Sequence, residues 1–241
     1  MGVFDVAEQR RQTGGASTDH ESASVTGPDH PGAGAGFAVL DVETTGLVPG
    51  RDRIVEIAVV RTDVAGRVVD EWSTLVNPER SVGASHIHGI TAVDVRHAPH
   101  FAEVAGEFGA RLAGRALVAH NAVFDLGFVR MEYARLGVPI PAVPYLCTLE
   151  ASRDYLPDLR RRRLSDCCDA LGVSQLGAHS ALGDARAAAG LLARYLDPGT
   201  GRPPLRGHAG LPVLAAEVRW PTVPGAAAPT LPRGGQTESR S

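Results

Sequence analysis

With 241 residues, 44% of them apolar and 21% charged, the chain has room for one substantial domain with tails and the composition of a protein that buries a core. Its formal net charge of −3, with all 24 basic residues arginine, excludes a non-specific nucleic-acid binder held by bulk charge. No apolar run reaches membrane-spanning length and the N-terminal stretch MGVFDVAEQRRQTGG lacks the apolar segment of a secretory signal, so no membrane partner and a cytoplasmic location are expected.

Residues 1–36, rich in Ser, Thr, Gly, Asp and His without apolar periodicity, predict a flexible leader, and the fold is expected to start at Phe37. FAVLDVE reads as a buried strand. RIVEIAVVRTD and VAGRVVDEWSTLVNP read as two further strands turned at Gly66, so three antiparallel strands open the domain. Phe101, Val104, Ala105, Phe108 and Leu112 fall at helical spacing and predict a helix stopping near Gly114, after which ALVAH returns as a strand. From Ala122 to Leu136, the sets Phe124, Phe128, Met131 and Leu126, Val129, Tyr133, Leu136 predict a helix buried on two sides. VPYLCT reads as a strand. LSDCCDALG and ALGDARAAAGLLARYL read as helices, the latter with Ala185, Ala188, Ala189, Leu192 and Leu196 as one packing stripe.

Strands first and then alternating helices imply an α/β domain over residues 37–196, a mixed sheet of three antiparallel strands followed by parallel ones and flanked by helices. Residues 197–241 are expected as a Pro/Gly/Ala-rich tail, whose apolar island LPVLAAEVRW docks either on the domain or on a partner. Cys147, Cys167 and Cys168 have neither disulfide-framework nor zinc-clip spacing and read as buried reduced thiols.

The chemistry concentrates in four acids and one histidine. Asp41 and Glu43, two apart on a strand, project side by side from an apolar segment. Asp125 sits in the first turn of the helix after ALVAH, at a strand's carboxyl end. Asp184 lies early in the last helix, five residues after His179 in the preceding loop. Each has an ordinary explanation alone: a solvated strand end, a helix-dipole acid, a loop histidine. Together they require a counter-charge, because two carboxylates about 4 Å apart repel by about 4 kcal/mol at an effective dielectric near 20. All-oxygen ligation suits two Mg²⁺ or Mn²⁺ ions rather than zinc.

DVETTGL with the following RIVEIA, the segment His120 to Asp125, and H-x-x-x-x-D from His179 to Asp184 resemble the three motifs of the DEDDh 3′-to-5′ exonuclease superfamily, in particular the proofreading subunits of bacterial DNA polymerase III. The resemblance runs from Phe37 to Leu196, in order, and includes HIHGIT at His86 to Thr91. It implies a ribonuclease H-like fold and metal-dependent removal of nucleoside monophosphates from a nucleic-acid 3′ end, single-stranded or frayed. Asp41, Glu43 and Asp184 would hold the metals, Asp125 would assist the second, and His179 would be the general base. A DNA polymerase is a candidate partner. An RNA-trimming member of the superfamily and a non-catalytic subunit binding nucleic-acid ends or a polymerase are the alternatives.

The resemblance also places Thr44, Thr45 and Gly46 against the terminal nucleotide, Gly46 letting the backbone approach a ligand, and His88 in a loop near the last bases. Phe124 walls the nucleotide pocket or fills the core, and Asn121 contacts substrate or caps its helix. Glu56 matches the motif segment and is expected to support the fold. Arg160 to Arg163, the one dense positive run, reads as solvated surface or as a phosphate track for the incoming strand.

Overall fold

The computed structural model describes residues 35–200, 205, 207–223 and 230–232. The leader expected over 1–36 therefore lies outside the described residues except at its last two positions, and the first strand already includes Gly36. Strands β1 (Gly36–Thr44), β2 (Ile54–Asp63), β3 (Val68–Leu75), β4 (Ala116–Ala119) and β5 (Tyr145–Cys147) form one sheet in the order β3-β2-β1-β4-β5. β1, β2 and β3 pair antiparallel, whereas β4 pairs parallel to β1 and β5 parallel to β4. This is the mixed sheet expected from the run of strands.

β1 is central and buried on both faces, which is why its sequence is almost continuously apolar. On one face Ala38, Leu40, Val42, Ile57 and Val59 pack against α3 (Phe101–Leu112) and α4 (Ala122–Arg135). On the other, Phe37, Val39, Ala58 and Val60 pack against α7 (Ala181–Leu196), whose predicted stripe of Ala185, Ala188, Ala189, Leu192 and Leu196 all lies in that core. Small residues on α7 let it sit close to the sheet. α6 (Leu164–Leu171) buries Cys167 and Cys168 against α7, and all three cysteines are free and buried, as expected.

One expectation, the burial of Met131, is corrected; a helix not predicted from the sequence is added, and the choice left open for the apolar island is decided. Thr148–Tyr155 forms a helix, α5, directly after β5. Met131 is exposed, and the neighbouring Glu132 is buried instead, its carboxylate accepting from Arg53 Nε at 2.8 Å and from the Ile54 amide at 3.3 Å. The island after residue 210 docks on the domain: α8 (Leu211–Ala216) inserts Leu211 and Ala215 beside α7, and Trp220 stacks edge-on against Tyr133 with ring centroids 5.9 Å apart. Further on, the Leu75 amide donates to the Leu231 carbonyl (2.8 Å) and the Leu231 amide to Thr74 Oγ1 (3.0 Å), at the edge strand β3. Two short helices, α1 (Ser85–His88) and α2 (Ala92–Val95), lie in the connection from β3 to α3.

Candidate active site

The acidic residues meet where the sheet's central strand ends. Asp41 and Glu43 continue the face of β1 that carries Phe37 and Val39, but the body of α7 has ended there and its N-terminus faces them instead. A strand face that is apolar under a helix becomes acidic at the helix's positive end. Ligand oxygens of Asp41, Glu43 and Asp184, the last from the first turn of α7, all lie within 4.8 Å of one another. α4 approaches from the opposite face, and its buried Asp125 accepts the Val42 amide through Oδ1 at 3.2 Å, between the two strand acids.

The carboxyls affect one another. Burial, then the charges of Asp125, Asp184, Glu43 and Glu56, push Asp41 well above the ordinary carboxyl range. Burial likewise raises Asp125, against the opposing effect of the amides it accepts, and raises Asp184, against Gln175 and His179. Such a cluster is costly without counter-ions. The donors are all hard carboxylate oxygens at a mutual spacing one small octahedral cation can bridge, so Mg²⁺ or Mn²⁺ fits the set.

His179 is exposed in the loop before α7, with φ 63°, a left-handed backbone that histidine adopts uncommonly. The loop is held against the helix start. Ser180 Oγ accepts the Gly183 amide (3.2 Å) and donates to the Gly177 carbonyl (2.6 Å). A Cβ at Gly183 would lie 2.1 Å from that same carbonyl, so only glycine permits the approach.

The supporting residues divide. Thr44 and Thr45 are buried, and their hydroxyls serve the turn: Thr44 Oγ1 donates to the Gly46 carbonyl (2.7 Å), and Thr45 Oγ1 accepts the Arg53 amide (3.1 Å). Gly46 lies close under its own protein: a Cβ there would stand 2.6 Å from Asp52 Oδ2, so a larger residue requires Asp52 to shift. His88 is 2% exposed and its Nδ1 accepts the Ile90 amide at 3.0 Å, which braces its own loop. Asn121 is exposed in the left-handed region (φ 75°) and makes no side-chain cap, which removes the capping reading. Phe124 is half-buried, packed on the core and against Phe128 with centroids 5.0 Å apart.

Two further side chains neighbour the acids: Gln175, which carried no sequence signal, and His120, which opens the second motif. Gln175 Nε2 donates to Asp184 Oδ1 at 3.1 Å. His120, lowered by burial and within electrostatic reach of Asp184, directs Nε2 at the Arg162 carbonyl (2.9 Å) and Nδ1 at the Thr148 hydroxyl (3.0 Å). Arg162 itself turns inward, donating to the carbonyls of Leu156 (2.9 Å), Pro157 (3.3 Å) and Leu159, while Arg160, Arg161 and Arg163 are exposed.

A mixed sheet flanked by helices, with carboxylates from β1, α4 and α7 gathered at the end of the central strand, is the arrangement of a ribonuclease H-like fold. The sequence profile of the Exonuclease family (RNase_T) matches residues 38–192, and the chain belongs to that family. Within it the chain resembles the DEDDh proofreading exonucleases. It is 38% identical over 158 residues to the PolC-type DNA polymerase III of Oceanobacillus iheyensis and 37% identical over 165 residues to that of Thermotoga maritima, covering 65% and 68% of this chain. Those alignments span only 11% and 12% of the two polymerases' own lengths. Among solved structures, E. coli exonuclease I in complex with a dT13 oligonucleotide matches with TM-score 0.60 at 22% identity, covering 66% of this chain and 40% of that one. Exonuclease X in complex with 5′ overhanging duplex DNA matches with TM-score 0.56 at 26% identity, covering 74% and 97%. Among the described residues no helix is long and apolar enough to cross a membrane.

Proposed function

We propose that the protein hydrolyses the terminal phosphodiester bond at the 3′ end of a single-stranded or frayed DNA strand, in a metal-dependent reaction that releases nucleoside monophosphates. The observation that carries this reading is the convergence of Asp41, Glu43 and Asp184 within 4.8 Å. Divalent cations held there would supply charge neutralisation at the scissile phosphate and would lower the pKa of the attacking water. Asp41, Glu43 and Asp184 would hold them, with Asp125 assisting while it braces β1. His179, beside Asp184 and open to solvent, takes the proton of the water.

The PolC-type relatives support DNA as substrate and a replicative polymerase as partner, with proofreading or repair as the setting. The exposed Arg160, Arg161 and Arg163 suit the phosphates of the incoming strand, and Asn121, at the mouth of α4, suits a polar contact to the terminal nucleotide.

The test is digestion of 5′-labelled single-stranded DNA, with RNA of equal sequence in competition, with Mg²⁺, with Mn²⁺ and with chelator, beside Asp41→Ala. A ladder of shortening products that requires metal and Asp41 is expected. Undiminished digestion in chelator or by Asp41→Ala removes the metal reading, and preference for RNA transfers the assignment to the exoribonuclease branch.

A further inference from the structure

We propose that Glu56 is a positioning residue, setting the start of α7 and through it Asp184 and His179 against the acidic cluster. The inference rests on the reading of that cluster as the catalytic centre. Glu56 stands directly opposite Glu43 in the antiparallel register of β1 and β2, so the two side chains share the sheet face at which α7 begins. It is fully buried, and its Oε2 accepts the backbone amide of Ala181, the first residue of α7, at 3.0 Å.

That amide is one of the donors a helix start leaves without an intrahelical partner, and a carboxylate there gains both a charge-assisted hydrogen bond and the helix's positive end. Ser180 supplies α7 with its local cap, but that cap moves with the loop. The Glu56 contact bridges 125 residues of sequence, and it fixes the helix start to the strand paired with the one bearing Asp41 and Glu43. A buried carboxylate is an expensive way to fill space where the neighbouring inward positions of β2 are Ala58 and Val60. It also adds negative charge behind Asp41, which is unfavourable until cations arrive. Its position is explained by geometry: Asp184 sits three residues past Ala181 and His179 two residues before it, so a shift of α7 displaces a metal ligand and the base together.

The experiment compares wild type, Glu56→Gln, which keeps an acceptor, and Glu56→Leu, which has none. It measures Tm, affinity for Mn²⁺ alone, and kcat and KM on single-stranded DNA. Glu56→Leu is expected to lose at least about tenfold in kcat, since sub-ångström to ångström misplacement of reacting groups costs up to about a hundredfold. Mn²⁺ affinity is expected to weaken with KM changed less than kcat, and Glu56→Gln to recover most of both losses. If Glu56→Leu does not fold, Ala181→Pro takes its place: it deletes the donor at a position where proline suits a helix, after a Ser180 already extended (φ −123°, ψ 139°). The same split of kcat from KM is expected. Folded Glu56→Leu or Ala181→Pro with wild-type kcat and Mn²⁺ affinity overturns the proposal, as does a glutamine variant no better than leucine. A wild type that digests nothing overturns the nuclease reading instead, and the Mn²⁺ titration still decides the role of Glu56.

Discussion

Asp125 holds the backbone of Val42: its Oδ1 accepts that amide at 3.2 Å, so one side chain of α4 fixes the residue between Asp41 and Glu43. The acid thus has two separable duties, a mechanical one that needs an acceptor and an electrostatic one that needs a charge. Asp125→Asn keeps an acceptor and is expected to retain a near-wild-type Tm while kcat falls by about two orders of magnitude or more. Asp125→Ala should lose both. A Tm for Asp125→Asn as low as that of Asp125→Ala would show that charge, not the hydrogen bond, braces the strand.

Removing metal should make stability depend on pH in a stated direction. Burial first, and neighbouring carboxylates where they contribute, raise Asp41, Asp125 and Asp184 above the ordinary range. A group raised in the folded state stabilises it fully below its unfolded value, about 4 for a carboxyl, and that contribution disappears as pH rises through the folded value. The metal-free protein should therefore lose Tm from mildly acidic toward neutral pH, and Mg²⁺ or Mn²⁺ should restore most at the upper end, where the ligands are ionised. Asp52, lowered by the Val48 amide, and Asp63, lowered by Arg67 and nearby amides, act oppositely and limit stability in stronger acid. Calorimetry in chelator across this range reads the sign directly; a metal-free Tm that climbs toward neutrality contradicts it.

His179 is exposed, stands outside the cluster of Asp41, Glu43 and Asp184 oxygens, and sits beside Asp184. His179→Ala should leave Mn²⁺ affinity within a few-fold of wild type and lower kcat by about two to four orders of magnitude, the usual range for a general base. Turnover near normal would return the histidine to an ordinary loop residue.

The arginine run should split by side chain. Arg162 supports the carbonyls of its own loop, and its carbonyl receives His120, so Arg162→Ala is expected to lower Tm. Neutralising Arg160, Arg161 and Arg163 together should leave Tm unchanged, weaken DNA binding, and reduce the slope of log affinity against log salt by about 0.7 for each phosphate no longer engaged. A salt slope that stays put makes these three a solvated surface.

Much of this arrangement was legible because burial wrote it into the pattern. β1 and β2 are apolar on both faces, and α7 carries its small-residue stripe in plain order. Asp41 and Glu43 could be paired by the two-residue period alone. What escaped was whatever depends on distant partners. α5 buries Thr148, Ser152 and Tyr155, two of them polar, so TLEASRDY shows no apolar face. Glu132 lies inside because Arg53, 79 residues earlier, meets it. Gln175 reaches Asp184 from a loop with no periodicity.

The strap at Leu231 has a consequence for any shortened version of the protein. Open sheet borders offer bare main-chain donors and acceptors to a strand of another molecule. Here the chain occupies part of that border itself, through Leu75 and Thr74. Ending the polypeptide at Leu196 would also remove Trp220 from Tyr133, and the trimmed product would expose the part of the β3 border that Leu231 occupies.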